Sequence, residues 1–255
     1  MRSFIDVCDF TVIDETDRWI VVNKPAPLQV HPSRPEGGPT LWHGLRELLR
    51  YDLENGAALS LINRLDRDTS GLVLVAKDKP TARMLHKAMM RREVKKEYRA
   101  IVWGWPEPDE FDVREPILRR GEVEESDIYA MQKVHPDGAA SHTTFRVLRR
   151  FERNTANGAR FSLLAAVPNT GRMHQIRIHA AHAGFPVVGD KLYGPSCEWY
   201  LRQITDGWTP EAAAALLMSR HALHSCLMGI TAGDGAHHVW RAPLPADLEG
   251  FLNES

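Results

Sequence analysis

The chain has 255 residues, of which 43% are hydrophobic and 25% are charged, and its formal net charge at pH 7 is −1. This length and composition suffice for a full hydrophobic core, in one large domain or in two subdomains that share a cleft. No apolar run reaches the roughly 18 residues of a membrane span, and the N-terminus lacks the apolar core of a signal peptide. We therefore expect a cytoplasmic protein.

The three cysteines, Cys8, Cys197 and Cys226, show no paired spacing. A disulfide scaffold and a thiolate zinc site both require such spacing. We interpret the cysteines as reduced, ordinary residues.

Basic residues are concentrated in one stretch of this nearly neutral chain. Residues 81–99 contain seven basic and two acidic residues, whereas residues 195–255 contain three basic and seven acidic residues. A local basic stretch fits a surface that follows phosphate groups, although a solvated helix face explains it equally well. The seven basic residues are Arg83, Lys87, Arg91, Arg92, Lys95, Lys96 and Arg99.

The first half of the chain predicts short strands and two helices. Apolar runs predict strands at residues 12–13, 19–22, 59–62 and 72–76. Thr40 can cap a helix, and i, i+4, i+7, i+8 spacing gives that helix an apolar face of Leu41, Leu45, Leu48 and Leu49. A second helix opens at Pro80 and turns inward the side chains of Met84, Leu85 and Ala88.

The second half of the chain predicts mainly strands. The predicted strands lie at residues 98–103, 143–148, 161–167, 222–230 and 237–241. One helix is predicted over residues 174–183, closed by Gly184. Because strands outnumber helices and do not alternate with them regularly, the expected fold class is α+β with a mixed, largely antiparallel sheet.

The polar segment at residues 63–71 is the most informative part of the sequence. It precedes a buried strand and contains Asp66 between Arg64 and Arg67. Two nearby arginines favour an ionised carboxylate, which suits a nucleophile or a base. A turn in which Asp66 is only a structural acceptor is an equally good interpretation of the loop alone.

The end of this segment predicts a loop of fixed shape. We interpret Asp68, Thr69 and Ser70 as structural residues whose side chains bind the local backbone. Gly71 permits a close backbone approach or a positive φ.

Six sequence blocks together resemble the RluA-type pseudouridine synthases. Each block is short, but their order and spacing make coincidence improbable, and the resemblance covers residues 14–243. The blocks are Asn-Lys-Pro at 23–25, His-Pro-Ser at 31–33, Arg-Leu-Asp with Thr-Ser-Gly at 64–71, Lys-Glu-Tyr-Arg-Ala at 96–100, Gly-Arg-Met-His-Gln-Ile-Arg-Ile-His at 171–179, and Gly-Asp-Lys-Leu-Tyr-Gly at 189–194.

The chain departs from the family pattern at three positions. Asn63 stands where members usually have histidine, Met173 where they have a small hydroxyl residue, and Pro27 where they have glycine. Asn63 still offers a hydrogen-bonding side chain, but no role that needs an imidazole is possible there.

The resemblance implies an RNA pseudouridine synthase that isomerises specific uridines of structured RNA, either rRNA or tRNA. It implies a sheet bisected by a catalytic cleft, with helices and loops packed around it. We expect residues 1–255 to form one catalytic domain without an appended RNA-binding module and to act as a monomer. The reaction neither oxidises nor hydrolyses, so we expect no metal or cofactor. The sequence leaves the target RNA and uridine open.

The resemblance implies that Asp66, Tyr98 and Arg172 are catalytic. Asp66 either attacks C1′ of the ribose or takes the C2′ proton, and the sequence leaves both routes open. Arg172 would pair with Asp66 and orient it, with Arg177 as the second candidate. We predict an Asp66–arginine separation of about 4 Å in a cleft that also contains Tyr98. Tyr98 would stack on the uracil, and its hydroxyl could share in proton transfer.

Further residues of these blocks are expected to bind substrate. The target base must be flipped out of the RNA, and Arg64 could fill the vacancy or bind phosphate, although a plain salt bridge is equally plausible. The other expected substrate-binding residues are Lys96, His174, Gln175 and Arg177.

Three histidines on one predicted helix raise the question of a metal site. His174, His179 and His182 are separated by five and three residues, and no HExxH pattern occurs. We favour hydrogen bonding in the core or toward RNA over metal binding.

Two other functions are alternatives to a synthase. A nucleoside or glycoside hydrolase could use Asp66 as nucleophile, but the only nearby second carboxylate, Asp68, is too close in sequence to face it across a substrate. A non-catalytic RNA-binding protein would be expected to have lost Asp66, Tyr98 or Arg172, and all three are present.

Overall fold

The computed structural model describes residues 9–32, 38–156, 158–231 and 235–253. Cys8 and Ser33, both named in the sequence analysis, lie outside the described residues. The chain forms two compact units, which divide after Lys96, after Leu223 and after Pro243. The first unit contains the Asp66 loop, and the second contains the Gly-Arg-Met-His-Gln block.

The strands of the first unit pair mainly in antiparallel fashion. The order is β1-β2-β4-β11, with β3 added to β4 and β12 added to β11. Strands β4 and β11 pair in parallel, at Ser70 with His224 and at Gly71 with Ser225. Every residue of β4 is buried, which confirms the prediction of a strand covered on both faces. The strands are β1 Thr11–Glu15, β2 Trp19–Lys24, β3 Ser60–Leu61, β4 Ser70–Ala76, β11 Leu223–Thr231 and β12 His237–Arg241.

The helices in the described part of the first unit are α1 Leu41–Leu48, α2 Arg50–Glu54 and α3 Lys79–Met90. The predicted apolar face of α1 is confirmed at three leucines, but Leu48 is exposed. Asp78 caps α3 by accepting a hydrogen bond from the backbone N–H of Thr81 at 2.7 Å. Helix α3 packs its buried residues against a core that includes Trp19.

The second unit contains an antiparallel sheet in the order β5-β10-β9-β6 and a separate hairpin of β7 and β8. Aromatic rings fill its core, and Phe161 and Phe145 are fully buried. The short strands β6, β7 and β8 were not predicted. The strands are β5 Lys95–Trp103, β6 Glu110–Val113, β7 Ile117–Arg119, β8 Gln132–Val134, β9 Thr143–Glu152 and β10 Arg160–Pro168.

The helices of the second unit are α4 Gln175–His182, α5 Glu198–Thr205, α6 Pro210–Leu216 and α7 Ala246–Asn253. Only α4 was predicted, and Gly184 follows it with a φ of 87°. The prediction of an α+β fold with a mixed, largely antiparallel sheet is confirmed. No helix among the described residues has the length and apolarity to cross a bilayer.

Candidate active site

The Asp66 loop connects β3 to β4 in the first unit. Asp66 is half-buried, and its carbonyl oxygen accepts a hydrogen bond from the backbone N–H of Thr69 at 3.1 Å. Arg64 and Arg67 are exposed, and the Arg67 guanidinium lies 3.3 Å from the carboxylate of Asp68. Arg67 therefore contacts the other aspartate of the loop, which the sequence did not predict.

A buried lysine holds the middle of this loop. Lys24 is fully buried, and its ammonium donates to the carbonyl oxygens of Pro25 at 2.8 Å, Leu28 at 2.7 Å and Arg67 at 3.2 Å. The Arg67 carbonyl also accepts the backbone N–H of Leu28 at 2.9 Å. The residue next to Asp66 is thus fixed to the Asn-Lys-Pro block. The sequence analysis assigned Lys24 no role, although Lys24 belongs to the Asn-Lys-Pro block that resembles the family.

Asn63 fixes the start of the loop. Its side-chain amide donates to the Leu72 carbonyl at 3.0 Å and accepts the Leu74 backbone N–H at 2.8 Å. The buried amide thereby extends the pairing of β3 with β4 by imitating a peptide group. The expectation that Asn63 still hydrogen-bonds is confirmed.

Strand β11 fixes the end of the loop. Ser70 Oγ lies 2.9 Å from Nδ1 of the fully buried His224. Gly71 has a φ of 115°, and a Cβ atom there would come within 2.6 Å of the Ser225 backbone nitrogen. The sequence predicted a structural role for Ser70 through the local backbone, whereas the structure gives its hydroxyl a partner 154 positions away in the chain. The close approach expected at Gly71 is confirmed.

Strand β5 carries the Lys-Glu-Tyr-Arg-Ala block. Tyr98 is buried and pairs in register with Ala166 of β10, which fixes its backbone. Its neighbours Glu97 and Arg99 form an ion pair. The side chain of Lys96 is half-buried, and this burial lowers the pKa of its ammonium to about 8.

A buried glutamine shapes the Arg172 loop in the second unit. The Gln175 side-chain oxygen accepts hydrogen bonds from the Thr170 hydroxyl at 2.7 Å and from the Arg172 backbone N–H at 3.0 Å. Its amide nitrogen donates to the His142 carbonyl and to Thr143 Oγ1, each at 2.9 Å. Arg172 is exposed, and its guanidinium lies 3.4 Å from the Ala140 carbonyl oxygen.

Arg177 forms a buried ion pair that sequence reasoning missed. Its Nε and Nη2 donate to the two carboxylate oxygens of Asp190 at 2.6 and 2.8 Å. Burial alone would raise the pKa of Asp190, but the charge and hydrogen bonds of Arg177 hold that pKa well below its usual range. Asp190 also accepts the backbone N–H groups of Leu192 and Tyr193. The Gly-Asp-Lys block is thus fastened to α4.

The histidines of α4 make hydrogen bonds. His174 has a left-handed backbone, with φ 56°, and its Nδ1 lies 2.8 Å from the Tyr193 hydroxyl. The buried His179 lies 2.9 Å from both Thr143 Oγ1 and the Glu115 carbonyl oxygen, and burial lowers its pKa. In the part of the chain that the structure describes, no three His, Cys, Asp or Glu side chains are arranged to hold a metal ion. The prediction of core hydrogen bonding is confirmed for His179.

The predicted site residues fall in both compact units. Arg64, Asp66 and Lys96 belong to the first unit, whereas Tyr98 belongs to the second. The second unit also contains the predicted residues of the glycine-arginine block, which are Arg172, His174, Gln175 and Arg177. The convergence of Asp66 with Tyr98 and an arginine stays a prediction.

Two solved structures share this fold. Human RNA pseudouridylate synthase domain containing 1 superposes with a TM-score of 0.71 at 22% identity, over 97% of this chain and 88% of that one. Human RNA pseudouridylate synthase domain containing 4 gives a TM-score of 0.70, also at 22% identity, over 94% and 91%. These similarities support the fold.

Sequence comparisons identify relatives with longer chains. The chain is 30% identical to the ribosomal large subunit pseudouridine synthase C of Buchnera aphidicola subsp. Acyrthosiphon pisum, over 95% of its own length and 69% of the relative's. It is 36% identical to an uncharacterized RNA pseudouridine synthase of Chloroflexus aurantiacus, over 91% and 65%. It is 38% identical to synthase C of Yersinia pestis, over 72% and 52%. The chain therefore spans about half to two thirds of the length of these relatives.

The family model described as RNA pseudouridylate synthase matches residues 18–182. This range includes Asp66, Tyr98 and Arg172. It covers more than half of the 255 residues. The chain therefore belongs to the RNA pseudouridylate synthase family, and within it to the RluA type.

Proposed function

We propose that this protein isomerises specific uridines of structured RNA to pseudouridine, with Asp66 as the essential carboxylate. The observation that carries the proposal is the support of the Asp66 loop, which Asn63, Lys24 and Ser70 fix at its start, middle and end. A loop anchored at three points keeps a reacting group in position without ordering it at each turnover. We take rRNA as the first substrate to test, because relatives carry the name ribosomal large subunit pseudouridine synthase.

In the proposed reaction the bond between uracil N1 and ribose C1′ breaks and a bond between C5 and C1′ forms. In one route the ionised Asp66 forms a bond to C1′, and this bond breaks when C5 attacks C1′. In the other route Asp66 takes the C2′ proton and later returns it. The C5 proton leaves in the last step, and N1 gains a proton. Atoms and electrons therefore balance within the nucleotide and the solvent, and the reaction as written consumes no oxidant and no water.

Tyr98 and Arg172 are proposed as the partners of Asp66. The Tyr98 ring would stack on the uracil while its hydroxyl assists loss of the C5 proton. Arg172 would orient the carboxylate and keep it ionised, as a guanidinium does through a charge-assisted pair. Gln175 fixes the backbone of the loop that carries this exposed side chain, and the guanidinium lies 3.4 Å from the Ala140 carbonyl oxygen.

Access to C1′ and C5 requires the target nucleotide to leave its stack. Arg64 is exposed two residues from Asp66 and is proposed to fill the vacancy or bind a flanking phosphate. Lys96, His174, Gln175 and Arg177 are proposed to support substrate binding, the last two through the loop and helix that they hold in place.

The proposal is tested by incubating the protein with transcribed large-subunit rRNA and tRNA that carry tritium at uracil C5. A synthase releases tritium and leaves pseudouridine in an intact chain, with chelator present and no metal added. A hydrolase would release free uracil instead, and a non-catalytic RNA-binding protein would release neither tritium nor uracil. Either of the last two results contradicts the proposal. In the same assay Tyr98→Phe should keep RNA affinity and lose turnover.

A further inference from the structure

Helix α3 presents a row of exposed cations in the first unit. Arg83, Lys87 and Arg91 are exposed and follow one another at intervals of four residues. With a rise of about 1.5 Å per residue, neighbours in the row are about 6 Å apart along the helix and its ends about 12 Å apart. Helix α3 buries Ala82 and Leu85 in the core, so the exposed row faces away from that core.

A groove runs beside this row. Its volume is about 610 Å³, and we call it the α3 groove. Its floor is apolar, since Met84 and Ala88 line it, and Thr231 at the end of β11 closes one side. The cations Arg83, Lys87 and Arg91 also line the groove, and their charge favours an anionic ligand.

Most of the charge in the groove is uncompensated. Among the described residues, no carboxylate lies within ion-pair distance of Arg83 or Lys87. Glu93 also lines the groove, but it approaches only Arg91, at 4.0 Å. Many other exposed cations of the chain are paired, as Arg50 is with Glu47 at 3.5 Å.

A fourth cation extends the row. Arg18, in the turn between β1 and β2, is exposed and reaches toward α3, with Nε 3.5 Å from Thr81 Oγ1 and Nη2 3.6 Å from Met84 Sδ. Its guanidinium also lies over the Trp19 ring, 5.6 Å from the centroid. These contacts hold Arg18 beside the helix, where its charge adds to that of the groove.

We propose that the α3 groove binds the sugar–phosphate backbone of the RNA substrate outside the nucleotide that reacts. This inference rests on the proposed function and adds a second binding surface to it. A regular row of exposed cations, of which Arg83 and Lys87 have no carboxylate within ion-pair distance among the described residues, matches a polyanion whose charges also repeat at intervals, and an apolar floor accepts ribose edges. The groove contributes affinity and register, and it takes no part in the chemistry.

Charge reversal tests the groove directly. The double variant Arg83→Glu/Lys87→Glu should bind rRNA at least about tenfold more weakly, and the slope of log K against log salt should fall by about 2, one for each lost phosphate contact. Turnover at saturating RNA should equal that of the unaltered protein. Both substituted side chains are exposed, so folding is checked by an unchanged thermal midpoint.

The matched control is Arg46→Glu/Arg50→Glu, which places the same charge change on exposed positions of α1 and α2. It should leave the salt slope unchanged. If both double variants bind rRNA with the same dependence of log K on log salt, the groove does not bind the RNA backbone. The proposed function would still stand, provided that the unaltered protein makes pseudouridine. The unaltered protein could also make no pseudouridine and yet bind rRNA with a salt slope that depends on Arg83 and Lys87. That result would support RNA binding in the α3 groove and contradict the proposed function.

Discussion

Ser70 Oγ lies 2.9 Å from Nδ1 of His224, and both residues are buried. This contact joins β4 to β11 at the residue where the Asp66 loop ends. The His224 ring reaches on toward the Ala242 carbonyl, with Nε2 at 3.4 Å, so the imidazole connects the loop to the chain after β12. The hydrogen bond is therefore expected to matter for both the stability of the first unit and the position of Asp66.

Ser70→Ala should lower the free energy of unfolding by about 1 kcal/mol, because it removes one hydrogen bond from a buried imidazole. Turnover should fall while the Michaelis constant for RNA stays constant. Ser60→Ala is the control, since Ser60 makes the same kind of contact with His86, at 3.3 Å, on the exposed side of the unit. Equal effects of the two substitutions on urea denaturation and turnover would contradict the assigned role.

Asn63→Asp should destabilise the first unit by about 2 kcal/mol or more. The new carboxylate oxygen would face the Leu72 carbonyl, to which the amide now donates, and a buried repulsion would replace a hydrogen bond. Thermal denaturation at neutral pH measures the loss. Asn55→Asp removes a similar donor to the Tyr51 carbonyl at an exposed position and should cost far less. If Asn63→Asp is as stable as this control, the amide does not support the loop.

The buried pair of Arg177 and Asp190 predicts how the second unit responds to acid. Because Arg177 holds the pKa of Asp190 below its unfolded value of about 3.9, the ionised pair stabilises the fold above that value and the contribution is lost as the pH falls. Asp190→Asn should cost about 3–5 kcal/mol at neutral pH, since it leaves a buried guanidinium uncompensated.

The control for this pair is Asp109→Asn. Asp109 accepts a hydrogen bond from Arg150 at 2.7 Å, but its side chain is 82% exposed, so its loss should be nearly neutral. Urea denaturation between about pH 3 and pH 7 should give a shallower acid loss for Asp190→Asn than for the unaltered protein. Parallel curves would show that the pair does not govern acid stability.

Lys96 predicts a dependence of RNA binding on alkaline pH. Burial lowers its pKa to about 8, so the free protein loses this charge as the pH rises through that value. If Lys96 binds phosphate, RNA affinity should fall between about pH 7 and pH 9, and Lys96→Arg should abolish the fall because the guanidinium stays charged. Lys95→Arg, at the exposed neighbouring position, should retain it. A fall that persists in Lys96→Arg would assign the titration to another group.

The sequence predicted the elements whose signal is local. The apolar run of β4, the closure of α4 by Gly184 and the close approach at Gly71 follow from residue type alone, and the structure confirms them. Helix α6 was missed although its signal was present, since Thr209 caps it, with Pro210 next. Helix α5, which has no buried residue, was not predicted.

The supports of the candidate site could not be predicted because their partners are distant in the chain. His224 meets Ser70 across 154 positions, and Lys24 meets Arg67 across 43. No periodicity or spacing encodes such pairs. Family resemblance supplied the site residues, whereas the packing that holds Asp66 became visible only in the folded chain.

The most direct test of the account is the activity of Asp66→Asn compared with that of Asp68→Asn. Both substitutions remove one negative charge from the same loop, and only the first removes the proposed nucleophile or base. Asp66→Asn should bind rRNA with nearly unchanged affinity, because affinity comes from phosphate and stacking contacts, and should form no pseudouridine. Asp68→Asn should keep most of its turnover. Tritium release from C5-labelled uridine at saturating RNA measures both, and normal turnover by Asp66→Asn would contradict the central claim.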